Sequence, residues 1–216
     1  MRKFAVAVCT LLLTIICGEE AMAQQRFKAG IVGGLNASQI RRDDVGGYNR
    51  LGVQGGLRAV IILADRYDVN IEMLYSQRGS YAKDGCWYNN TGSLHIATQY
   101  IEIPVVFSYK DWLHEEDNYY RLQASMGFSY GRLINTRVEA SCAHDGFGDF
   151  FNEDDVSYTV GVEYFTSPKF SLGMRWSHSL NLLYNREKAP VINGSTDDNP
   201  NSLRGYFLSF RGVYLF

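Results

Sequence analysis

The stretch Tyr120-Arg121-Leu122-Gln123-Ala124-Ser125-Met126-Gly127-Phe128-Ser129-Tyr130 decides the fold. Its even positions carry Tyr120, Leu122, Ala124, Met126, Phe128 and Tyr130; its odd positions carry Arg121, Gln123, Ser125, Gly127 and Ser129. Successive side chains of a strand point to opposite faces, so this period of two makes one apolar face and one polar face. Wound as a helix, the same residues would scatter both classes around the axis and leave no apolar stripe.

The pattern recurs in both directions along the chain. Val156, Tyr158, Val160, Val162 and Tyr164 oppose Ser157, Thr159, Gly161 and Glu163. Phe170, Leu172, Met174 and Trp176 oppose Ser171, Gly173, Arg175 and Ser177. The last segment sets Tyr206, Leu208, Phe210, Tyr214 and Phe216 against Gly205, Ser209 and Arg211, and Gly212 departs mildly from the alternation. Segments 27–36, 51–63, 67–78 and 99–109 behave alike. These read as strands, each near the roughly 9–11 residues with which a tilted strand crosses hydrocarbon. The connections at 64–66, 111–118 and 167–169 are short, whereas those at 37–49, 79–98, 137–155 and 185–202 are long and polar. The expected fold is all-β: a transmembrane up-and-down antiparallel barrel of about eight strands, with its long loops at one end.

A soluble barrel also alternates, with its apolar face inward. Here the polar face is built from Gly, Ser and isolated charges, which suit a narrow filled lumen. The apolar face carries aromatics near the strand ends (Tyr67 and Tyr75, Tyr120 and Tyr130, Phe170 and Trp176, Tyr206 and Phe216), as interfacial girdles do. The lipid-facing side is therefore the apolar one. The composition agrees: 15 Tyr, 12 Phe and 21 Gly against 4 Pro in 216 residues suit many strands in a single domain. A net charge of −2, from 21 basic and 23 acidic residues, gives no reason to expect nucleic acid.

The first residues read as an export signal. Arg2 and Lys3 precede an apolar run from Phe4 to Cys17, Glu19-Glu20 interrupts it, and Ala21-Met22-Ala23 is a small-x-small cleavage site. Residues 1–23 are expected to be removed, leaving residues 24–216 as the barrel in the cell outer membrane.

Two further stretches carry a resemblance. Gln99-Tyr100-Ile101-Glu102-Ile103-Pro104-Val105-Val106-Phe107-Ser108-Tyr109 resembles the Tyr-Leu-Glu-Ile-Pro strand of the PorT-like outer-membrane β-barrel family. Lys28-Ala29-Gly30-Ile31-Val32-Gly33-Gly34-Leu35-Asn36 is similar to its first strand, and Tyr67–Gly79 to its third. The resemblance implies the barrel architecture over the whole exported chain, and a role in protein secretion for some members. The ending from Tyr206 to Phe216, with Phe210, Tyr214 and the terminal Phe216, looks like the signal read by the barrel assembly machinery. That machinery and outer-membrane lipid are the partners expected.

The polar face holds Lys28, Arg58, Arg121, Arg175 and Arg211 against Asp68, Glu72, Glu102 and Glu163. Inside a narrow barrel these charges must pair, because an isolated buried ion is costly. A closed, salt-bridged plug is expected rather than an open pore. Other constellations are weak. His95, His114, His144 and His178 lack metal-ligand spacing, and His178 falls on the lipid-facing parity near the long loops. Asp145, Asp149, Glu153, Asp154 and Asp155 lack EF-hand spacing and read as a solvated loop. No nucleophile motif supports a Ser-His-Asp hydrolase, so no enzyme activity and no cofactor are expected. Cys86 and Cys142, the cysteines left after signal removal, fall in two long loops at one end and are expected to pair in an oxidising compartment. Three functions follow from these readings. The first is a structural or interaction barrel. The second is a narrow channel or accessory subunit for transport or protein secretion. The third is a lipid-modifying enzyme.

Overall fold

Alternating strands with no helix to cover them must close on themselves or leave unpaired edges. In the computed structural model, eight strands close into one antiparallel barrel in sequence order. They are β1 (Phe27–Arg41), β2 (Arg50–Ala64), β3 (Tyr67–Ala82), β4 (Leu94–His114), β5 (Tyr119–Ala140), β6 (Asp154–Phe165), β7 (Phe170–Ser179) and β8 (Arg204–Leu215). The structure describes residues 26–41, 48, 50–82, 94–140, 151–183 and 204–216. Residues 1–23, Cys86, Cys142 and His144 lie outside them, as do Asp145 and Asp149 of the acidic stretch.

The seam between first and last strands runs from Gly30↔Leu215 to Arg41↔Arg204. At this seam Gly34 faces inward, and a Cβ on it would overlap the Phe210 carbonyl oxygen and lie 2.9 Å from the Arg211 Cα. Gly33, one residue earlier, faces outward with nothing within 4 Å of the same added atom. Gly212 keeps the alternation after all, taking an outward position opposite Gly33 and Leu172.

The turns at Asp65–Arg66, 115–118 and 166–169 share one end with the start of β1 and the end of β8, and the strand ends Arg41, Arg50, Ala82, Leu94, Ala140, Asp154, Ser179 and Arg204 lie at the other. Outward positions are apolar and exposed, among them Ile31, Leu57, Met73, Val105, Phe128, Val160 and Phe210. A water-soluble chain would not leave such a belt uncovered. Aromatic pairs rim it at both ends. Tyr67 stacks on Phe107 at 5.7 Å and Trp112 meets Tyr164 at 6.2 Å on the turn side. On the loop side Tyr158 meets Trp176 at 5.4 Å, and Tyr206 meets Tyr48 at 5.5 Å. His178 sits in that second girdle, 5.9 Å from Trp176, as its parity implies. From Tyr214 in one girdle to Tyr206 in the other, a strand tilted by about 40° climbs about 20 Å, close to the apolar band of such barrels.

The strands outrun the expected 9–11 residues. β4 has 21 residues and β5 has 22, so the sheet continues into stretches that the polar composition had marked as loops. Backbone pairing with a neighbour that is already in place extends a strand whatever its side-chain polarity, and no hydrocarbon limits the part beyond the girdle.

Candidate functional site

Inward side chains fill the lumen in layers. At the turn end Val32, Val60, Leu74, Phe165, Val213 and Leu215 form a buried cluster against Ile62 and Tyr119. This apolar layer corrects the reading of a uniformly polar inner face. Val60, Leu74, Val213 and Leu215 share parity with Arg58, Glu72 and Arg211, and an apolar residue suits either face of a membrane barrel.

Above it lies an ion cluster at mid-barrel. Arg58 spans the lumen: its Nε donates to Glu72 Oε1 at 2.9 Å, while Nη1 and Nη2 donate to Glu163 at 2.8 and 2.6 Å. Arg175 reaches Glu72 at 2.7 and 3.2 Å. Arg211 donates to both oxygens of Glu72 and stands 3.1 Å from Glu163. Glu72 thus accepts from three guanidiniums on β2, β7 and β8, and the side chains of all five residues are nearly or fully inaccessible to water. The bidentate forks satisfy the carboxylates that burial would otherwise penalise.

A layer of small polar groups follows. Asn36 donates to Ser76 at 2.9 Å and accepts from Ser209 at 2.8 Å, and Ser177 donates to Thr159 at 3.2 Å. Nearer the loops Arg78 bridges Glu102 at 2.5 Å and Asp155 at 2.6 Å. Its guanidinium lies 3.8 Å from the Phe207 ring centre and 5.0 Å from that of Tyr100, an aromatic sandwich that suits a partly desolvated cation.

Of the nine charges expected inside, Arg58, Asp68, Glu72, Glu102, Glu163, Arg175 and Arg211 are buried and Arg121 is half-buried. Lys28 is exposed because it stands at the open turn end. Sequence reading missed Arg78, Lys110 and Asp155. Asp155 was assigned to a solvated acidic loop, but it is 1% exposed and points into the lumen. The signal was present: Arg78 continues the parity of Asp68 and Glu72, Lys110 that of Glu102, and Asp155 that of Glu163. For Lys110 and Asp155 the segments 99–109 and 156–164 stop one residue short; Arg78 lies at the very end of the segment 67–78, on the inward parity. Glu153 and Asp154 do lie at the surface, where both pair with Arg132. The Asp154 carboxyl is held below the usual carboxylate range by the Tyr130 hydroxyl first and by Arg132 next.

The remaining candidates stay apart. His95 lies between Arg50 and Glu139, and His114 beside Asp117. No group of three or more His, Cys, Asp or Glu among the described residues could hold a metal ion. Phe210, Tyr214 and Phe216 all face outward.

Residues 22–185 match the family described as an outer membrane protein beta-barrel domain. Comparison with curated protein sequences gives no match. Among solved structures, the chain is similar to the attachment invasion locus protein Ail of Yersinia pestis in complex with the heparin analogue sucrose octasulfate. That likeness has 10% identity and a TM-score of 0.45, over 88% of this chain and 99% of that one. Neisserial surface protein A is similar at 13% identity and a TM-score of 0.48, over 88% and 97% of the two chains. OprG from Pseudomonas aeruginosa is similar at 12% identity and a TM-score of 0.42, over 88% and 94%.

Proposed function

This chain belongs to the outer membrane protein beta-barrel domain family, and from that premise we propose that it is a closed outer-membrane scaffold whose loop end binds other molecules. The observation that carries the reading is the mid-barrel cluster of Arg58, Arg175 and Arg211 on Glu72 and Glu163. Five buried, mutually bonded side chains across a lumen this narrow leave ions no hydrated path. Reconstituted in a planar bilayer, the pure protein should give no stable single-channel steps. Large reproducible steps would show that the lumen opens, and would favour the channel reading instead.

The interaction half of the reading rests on the uneven rim. β5 pairs with β6 only as far as Arg132↔Asp154, but with β4 as far as Leu94↔Ala140. A sheet of β3, β4 and β5 therefore stands above the other strands. Among the described residues, Ile134–Ala140 meets β4 on one side and no strand on the other. An edge of this kind can accept an added strand, which gives affinity through main-chain bonds. An accessory role in secretion is the finer version of this reading. Its support is the likeness of Tyr100-Ile101-Glu102-Ile103-Pro104 to the PorT-like strand.

A further inference from the structure

We propose that the turn end of the barrel is a binding vestibule for a small organic acid with an apolar body. The lumen there opens as a blind cavity of about 390 Å³, a volume within the range of small-molecule sites. Arg58, whose fork seals the barrel above, lies at its inner end. Val60, Ile62, Phe165 and Leu215 give it apolar lining, and Lys28, the cross-strand partner of Val60, and Lys110 on β4 bring cationic groups to it.

Charge selects the sign of the ligand. Lys110 is 3.0 Å from Asp68, and Lys28 also acts on that single buried carboxylate, so the two lysines leave a positive excess in the vestibule. The cluster above adds a further positive surplus, three guanidiniums against two carboxylates. Arg121, on the next inward position below Gln123, has a buried Nε with no hydrogen-bond partner. Asp65, Asp111, Glu115, Glu116 and Asp117 oppose this surplus from the rim, where all five are exposed to water and screened. A low-dielectric cleft lined mainly by one sign focuses its field on ions of the other sign. Asn70, 1% exposed, donates to Ser108 yet leaves its own Oδ1 without a partner while it lines the vestibule. That oxygen accepts from a ligand hydroxyl or a protonated acid. A ligand in this cavity lays its apolar part on Val60, Ile62 and Phe165 and turns its acid toward Lys28 and Lys110.

The test is calorimetric titration of the protein in lipid nanodiscs with 3-phenylpropionate, with empty nanodiscs subtracted. Saturable binding is expected, with the neutral alcohol 3-phenylpropanol at least about tenfold weaker. Lys28→Gln, at an exposed position that leaves Asp68 its bond to Lys110, should weaken binding about fivefold. Ile62→Trp should abolish it by filling the apolar side, and Arg132→Gln, at the other end of the barrel, should leave it unchanged. No saturable heat with 3-phenylpropionate would overturn the proposal. So would equal affinity for acid and alcohol, or a Lys28→Gln protein that binds as the parent does.

Discussion

The two ends of the lumen are built to opposite electrical plans. Toward the turns, Lys28, Lys110, Arg121, Arg58, Arg175 and Arg211 face Asp68, Glu72 and Glu163. Toward the loops, Arg78 faces Glu102 and Asp155 between the rings of Tyr100 and Phe207. The turn half is cationic and ends in an open vestibule. The loop half is anionic and ends under buried Phe151, Leu183 and Phe207. The loop half's surplus of one negative charge offsets only part of the turn half's surplus of three positive ones. An interior can be filled while each local cluster remains unbalanced, and the local imbalance decides which side chain is hardest to replace.

Glu72 should be the most costly to change. Glu72→Gln removes the carboxylate shared by three guanidiniums, in the half that is already cationic. We expect a loss of about 5 kcal/mol, the upper end for breaking a buried ion pair, read as urea unfolding of the barrel in lipid vesicles. Arg78→Met at the other end leaves Glu102 and Asp155 without their bridge, and about 3 kcal/mol should be lost. If the two variants prove equal, the asymmetry between the halves has no energetic weight.

A second comparison sets inside against outside across one peptide bond. Gly34→Val forces a side chain onto the Phe210 backbone at the seam where the barrel closes, and should destabilise by about 3 kcal/mol. Gly33→Val enters open space on the lipid face and should change stability by under about 0.5 kcal/mol. A tolerated Gly34→Val would mean that the seam is looser than its register implies.

The smallest effect is expected at the exposed rim. Above the loop-side girdle, Asp154 accepts from Tyr130 at 2.6 Å and from Arg132 at 2.7 Å, which holds its pKa down. A carboxyl held low in the folded state adds stability above its unfolded pKa and loses it as pH falls through the folded value. Arg132→Gln should therefore leave stability almost unchanged at neutral pH. It should also shift the acid end of the stability profile slightly upward, because the Asp154 carboxyl then protonates sooner. A large loss at pH 7 would place Arg132 in a structural network that its exposure does not suggest.

Much of this molecule was legible in one dimension. Period-two alternation is a property of the strand itself, so it named the strands and sorted most side chains to the lumen or the lipid. The turn lengths placed the loops at one end. The same parity reaches Arg78, at the end of the segment 67–78, and Lys110 and Asp155, which fall one residue outside their segments because polar residues near a strand end look like loop until a neighbouring strand pairs with them. Parity, however, says which face a residue takes and nothing about its partner across the lumen. Arg58 meets Glu163 over 105 residues of chain, and Glu72 collects arginines from β2, β7 and β8. Those meetings depend on strand stagger and on how the seam closes, which are properties of the whole barrel. The sequence by itself determined that charges line the inside; the closed register alone decided that they divide into a cationic half with a vestibule and an anionic half under an apolar cap.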